Sequence, residues 1–213
     1  MIDTYGRTYY QKAIVDPLLP IFSFISPTMI TFCGIVAGIS ILPLLSIKYT
    51  LLAFVMLLFS GFLDTLDGSM ARFKNQTTPF GAALDIIGDR MVEFSVIVGL
   101  YLYQPEIRSL NCLLMLGSIL LCITSFLIVG IFTQNNTEKS FHYSPGIIER
   151  GEAFIFFSIM ILFPSTFSIV STIFISLVLI TTLIRLWQFK QSYNSYTEER
   201  SNFGFLALRK PRD

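Results

Sequence analysis

The stretch Asp64-Thr65-Leu66-Asp67-Gly68-Ser69-Met70-Ala71-Arg72, followed after eight residues by Gly81-Ala82-Ala83-Leu84-Asp85-Ile86-Ile87-Gly88-Asp89, sets four carboxylates inside a strongly apolar chain. A charged side chain at bilayer depth costs roughly 2.5–3.5 kcal/mol on insertion scales, so this cluster needs a compensating partner. A divalent cation is the natural one. Asp64 and Asp67 are spaced i,i+3 and Asp85 and Asp89 i,i+4, which puts each pair on one helix face. If the two segments form a hairpin turning near Gln76, Asp67 and Asp85 each lie nine residues from the turn, and the acids meet at matching depth. Oxygen-only ligation favours Mg²⁺ or Mn²⁺ over Zn²⁺.

The 213 residues around this stretch are 53% hydrophobic and only 14% charged, with a mean hydropathy of +0.67. This composition predicts an all-α integral membrane protein. Six apolar stretches are long enough to cross a hydrocarbon core: Thr28–Ile47, Thr50–Arg72, Phe80–Tyr103, Leu110–Thr133, Ile147–Phe163 and Phe167–Phe189. Residues 1–26 mix aromatic, charged and aliphatic side chains and read as an amphipathic helix lying in the interface. Residues 191–213 read as a polar cytoplasmic tail, and residues 1–213 as a single membrane domain. Most Lys and Arg residues fall on one side of this layout, with Lys48 and Arg108 on the other. Both termini and the loop after Arg72 are therefore expected on the cytoplasmic side. A net charge of +1 argues against a nucleic-acid binder. Cys33, Cys112 and Cys122 have no metal or redox spacing and read as small buried hydrophobes.

The small residues fit the same site. Gly68 exposes backbone for a close approach, Ala71 and Gly81 leave room beside the acids, and Arg72 supplies a permanently charged fork suited to phosphate. Gly34-x-x-x-Gly38 suits either helix association between chains or packing within one.

The order D-x-x-D-G-x-x-A-R-x8-G-x3-D-x3-D, matched from Asp64 to Asp89 without substitution, resembles the CDP-alcohol phosphotransferase family of membrane enzymes. The resemblance implies two divalent cations, Mg²⁺ or Mn²⁺, held by Asp64, Asp67, Asp85 and Asp89, with Asp89 also the general base for the acceptor hydroxyl. It assigns Gly68, Ala71 and Arg72 to the CDP moiety, Thr78 to a phosphate-holding loop position, and Thr31 to a first-span motif. That motif reads Pro27-Thr28-x-x-Thr31 here, with Thr28 where the family often carries Asn. The implied reaction transfers a phosphatidyl group from CDP-diacylglycerol to a small alcohol, releasing CMP. A homodimer and a bacterial inner membrane, with the site open to the cytoplasm, complete the expectation.

Lys139, Arg150 and Arg185 could form a basic mouth for a phosphorylated acceptor, glycerol 3-phosphate first and inositol phosphate second; each also reads as an anchor of the positive-inside pattern. Glu149 and Glu152 could instead select an amine such as serine, and inositol remains a neutral alternative. Arg90 reads as a charge partner for Glu93 or a neighbouring acid. Intramembrane acids also mark cation paths, but a fixed guanidinium at Arg72 would oppose conduction.

Overall fold

The computed structural model describes residues 15–134, 148 and 150–207, and among these all regular secondary structure is helical. We label the helices α1 (Asp16–Leu18), α2 (Pro27–Ile39), α3 (Ile41–Ser46), α4 (Thr50–Phe73), α5 (Pro79–Tyr103), α6 (Pro105–Gln134), α7 (Arg150–Leu162) and α8 (Phe167–Ala207). A 3₁₀ turn, Pro164–Thr166, precedes α8.

Local chemistry explains the boundaries. Ser26 caps α2 by accepting from the Met29 amide, with Pro27 at the first helical position. Thr78 does the same for α5, accepting from the Gly81 amide at 3.0 Å ahead of Pro79. At the C-terminus of α4, Asn75 takes a left-handed conformation (φ 54°). The Gln76 amide then donates back to the Ala71 carbonyl at 2.8 Å and closes the helix end.

Among the described residues, four segments are long and apolar enough to cross a membrane: Pro27–Ser46, Thr50–Phe73, Pro105–Phe132 and Pro164–Gln191. Helix α5 has the length, at 25 residues, but carries Asp85, Asp89, Arg90 and Glu93. Helix α7 has 13 residues, which at 1.5 Å per residue spans about 20 Å against a core of about 30 Å. Of the expected interfacial segment, residues 1–14 lie outside the described residues. Val15 and Leu19 pack in a buried cluster with Ile30, Leu66 and Met70.

Two boundaries differ from expectation. Helix α6 begins at Pro105, not near Leu110, because Arg108 is not a loop cation. Its guanidinium is buried, donates to the carbonyls of Leu100 (3.4 Å) and Pro164 (2.9 Å), and lies over the rings of Tyr103 and Phe167. Helix α8 continues to Ala207, well beyond Phe189, since adding residues to an anchored helix avoids the cost of a new nucleus. Cys112 is buried but Cys33 is exposed; it sits on an outward face of α2, beside the exposed Phe32 and Val36. A helix in lipid is apolar all round, so apolarity alone does not say which face is inside.

The principal core gathers Ile41, Leu45, Leu57, Val96, Ile97, Leu100, Met115, Phe157 and Phe174 from α3 to α8. Helix α2 packs along both α4 and α5, whereas α4 and α5, consecutive in sequence, do not pack closely on one another. The acidic helices are thus not a simple hairpin of touching rods. They stand apart with α2 behind the gap.

Candidate metal and substrate site

Glycines set that spacing. A methyl group added at Gly34 would lie 3.3 Å from Leu63 Cβ on α4, and one at Gly88 would lie 2.8 Å from Ile35 Cδ1 on α2. One at Gly38 would run into the Val92 side chain of α5. The Gly34-x-x-x-Gly38 pair is therefore used within the chain, bringing α2 against both acidic helices. Ser60 Oγ donates to the Gly34 carbonyl at 2.8 Å and pins α4 to α2 just below the first acid.

Above this floor, one carboxylate oxygen from each of Asp64, Asp67 and Asp85 lies within 4.8 Å of the others. Asp67 is buried at 5% exposure, and Asp64 and Asp85 are half-buried. Asp89 is not part of this trio but lines the same cleft, together with Thr31, Gly34, Ile35, Ser60, Gly88 and Val92. At 4.8 Å, two carboxylates repel by about 3 kcal/mol at an effective dielectric of 20, so convergence of three calls for positive charge among them. The donor set is all oxygen and suits a hard divalent ion such as Mg²⁺ or Mn²⁺.

Of the remaining expected residues, Thr31 lines the cleft and donates its hydroxyl to the Pro27 carbonyl at 3.2 Å. Gly68 meets only Arg72 Nη1, 3.6 Å from where a Cβ would stand, leaving its backbone open. Ala71 is half-buried. Arg72 is exposed, and its Nη2 donates to Ser69 Oγ at 3.2 Å, folding the guanidinium back along α4. Thr78 is exposed at the α5 cap. Arg90 pairs with Glu93 at 2.6 Å, as its spacing allowed.

The structure does not bring Arg185 to the acids. Its Nη1 donates to the Cys122 carbonyl at 3.1 Å and lies 3.5 Å from Ser125 Oγ, binding α8 to α6. Lys139 lies outside the described residues, and so does the side chain of Arg150, which begins α7. Ser60, Ile35, Gly88 and Val92 shape the cleft and were not singled out from sequence; Ser60 lies i−4 from Asp64, one turn back on the same face.

Residues 24–187 match the family model described as CDP-alcohol phosphatidyltransferase. The chain is 32% identical over 170 residues to "Inner membrane protein YnjF" of Escherichia coli (strain K12), covering 76% of this chain and 82% of that one. It is 27% identical over 162 residues to "Phosphatidylinositol phosphate synthase" of Corynebacterium glutamicum, covering 73% and 71%. Two solved structures of the Mycobacterium tuberculosis phosphatidylinositol phosphate synthase share the fold at 22% identity. The one with CDP-DAG bound has a TM-score of 0.64 and covers 83% of this chain and 93% of that one. The one in complex with manganese and citrate has a TM-score of 0.66 and covers 83% and 87%. The chain belongs to the CDP-alcohol phosphatidyltransferase family of membrane-integral enzymes, which transfer phosphatidyl groups.

Proposed function

We propose that this protein transfers a phosphatidyl group from CDP-diacylglycerol to a small phosphorylated alcohol, releasing CMP. The observation that carries the reading is the convergence of Asp64, Asp67 and Asp85 within 4.8 Å, in a cleft that Asp89 also lines. Glycerol 3-phosphate is the first acceptor proposed. Inositol phosphate is the second, favoured by the similarity to inositol phosphate synthases.

Asp64, Asp67 and Asp85 would hold two divalent ions, Mg²⁺ or Mn²⁺, with Asp89 contributing to the second. Bound there, such ions neutralise the pyrophosphate and the charge that develops on its bridging oxygen. The chain's own groups position the reactants. The open backbone at Gly68, the small Ala71 and the Arg72 fork receive the cytidine diphosphate, with Thr31 and Thr78 at the margins. Asp89 takes the proton of the acceptor hydroxyl as that oxygen bonds to the phosphorus bearing the diacylglycerol; the pyrophosphate P–O bond breaks and CMP departs. Lys139, Arg150 and Arg185 are proposed at the acceptor's entrance; Arg185 would have to exchange its Cys122 carbonyl for the acceptor phosphate.

In the membrane we propose six spans, adding α5 and α7 to the four apolar ones, and an interfacial helix within residues 1–26. Supporting this, α5 joins two ends of distinct character. At one, Lys74 meets the carbonyl of Ile25; at the other, Lys48 lies 5.8 Å over the Tyr103 ring beside Arg108. Counted along the chain, Lys and Arg are in excess on the side of the first end, with Arg72, Lys74, Arg185 and Lys190 against Lys48 and Arg108, and the positive-inside pattern makes that side cytoplasmic. A single domain over residues 1–213, a tail from residue 191, a homodimer and a bacterial inner membrane complete the reading; similarity to an E. coli inner membrane protein supports the location.

The test is purified protein in nanodiscs with Mn²⁺ or Mg²⁺, CDP-diacylglycerol and, separately, glycerol 3-phosphate, inositol phosphate, inositol and serine. CMP release and the mass of the lipid formed identify the acceptor. Absence of CMP with every alcohol overturns the proposal.

A further inference from the structure

Helix α4 presents Asp64, Gly68 and Arg72 at i, i+4 and i+8 on one face, and Leu66 and Met70, offset by two residues, on the opposite face. Both of those side chains are fully buried. Leu66 (1% exposed) and Met70 (0%) pack on Val15 (0%), Leu19 (7%) and Ile30 (3%), with Leu18, Phe22 and Ile25 around them. The segment 15–25 therefore braces the acidic helix from behind. Its last turn is closed by the Ile25 amide donating to the Phe22 carbonyl at 3.0 Å. The Ile25 carbonyl receives Lys74 Nζ at 2.8 Å, from 49 residues away in sequence.

Lys74 is the C-cap of α4, two residues after Arg72, and the left-handed Asn75 follows it. The helix end and the five-residue connection to Pro79 are thus anchored by one polar tether and one apolar cluster. We infer that Lys74 is a positioning residue for the cytidine diphosphate donor: its hold on Ile25 fixes the helix end that displays Gly68 and Arg72 and the loop that ends at Thr78. This rests on the proposed assignment of Gly68 and Arg72 to the donor. An ammonium on a neutral carbonyl is a charge-assisted bond, and it ties this helix end to a segment 49 residues away in sequence.

The experiment compares wild type, Lys74→Met, Lys74→Arg and Arg72→Ala as full-length protein in nanodiscs. It measures donor KM, acceptor KM and kcat, with amide hydrogen exchange over residues 74–78. Lys74→Met is expected to raise donor KM about five-fold or more with kcat and acceptor KM within about two-fold, and to speed exchange in the loop; Lys74→Arg should restore both. The tether is overturned if donor KM stays within about two-fold, or if donor KM, acceptor KM and kcat shift together as a general loss of folded protein would make them. A donor KM that rises in Arg72→Ala but not in Lys74→Met overturns the tether and leaves the donor assignment standing. An unchanged donor KM in Arg72→Ala overturns both. Should Lys74→Met fail to fold, faster loop exchange in Lys74→Gln with its donor KM raised supports the inference, and wild-type values there overturn it.

Discussion

Ser60 on α4 donates its hydroxyl hydrogen to the carbonyl oxygen of Gly34 on α2 at 2.8 Å, in a buried contact between residues 26 apart in sequence. The bond is possible because Gly34 has no side chain and α4 can come close. It fixes the rotation of α4 one turn below Asp64, and so aims the acids into the gap that α2 closes from behind.

The same close packing makes Gly88 sensitive. A side chain there meets Ile35 at 2.8 Å from its first carbon, so Gly88→Val should push α5 away from α2 and cost about 1–3 kcal/mol. Thermal unfolding should show the loss. Mn²⁺ titration should show weaker binding, because Asp85 and Asp89 lie within one turn of the displaced backbone.

Asp89→Asn keeps the shape of the side chain and removes its basicity. On the proposed mechanism, kcat should fall by about 10²–10⁴-fold with donor KM little changed. Steady-state assays of CMP release provide the comparison, and wild-type turnover in this variant would remove Asp89 as the base.

Removal of divalent ions by a chelator should abolish CMP release, and Mn²⁺ or Mg²⁺ should restore it. Asp67→Asn, which alters the most buried of the three converging acids, should shift the metal requirement upward by about ten-fold or more, read from activity against free Mn²⁺ and from direct ion binding.

Glu93 and Arg90 form an ion pair at 2.6 Å with side-chain exposures of 9% and 35%. Breaking a fully buried pair costs about 3–5 kcal/mol; the partial exposure of Arg90 lowers the expectation for Glu93→Gln to about 2 kcal/mol. The double variant Arg90→Gln with Glu93→Gln should recover part of that loss in chemical unfolding, since no half-buried guanidinium is left without its carboxylate.

Arg108 bonds two carbonyls and stacks on two rings at the end of the bundle away from the acids. Arg108→Met should lower stability by about 2–4 kcal/mol while leaving KM and kcat near wild type at low temperature. Thermal inactivation measured beside initial rates separates the two effects.

Local structure was legible in the amino-acid order. Apolar stretches of span length dictated helices, because a backbone in hydrocarbon must satisfy its own hydrogen bonds. The 3.6-residue period put Asp64 with Asp67, and Asp85 with Asp89, on shared faces. Tertiary structure alone decided which helices touch: α2, not the α4–α5 turn, sets the width of the cleft; Gly34 and Gly38 serve this chain's own packing; and Arg108 and Arg185 turn inward to carbonyls on neighbouring helices. The physical reason is that helix periodicity is fixed by bonds between residues four apart, whereas an arginine's partner or a glycine's close neighbour is chosen by side chains distant in sequence.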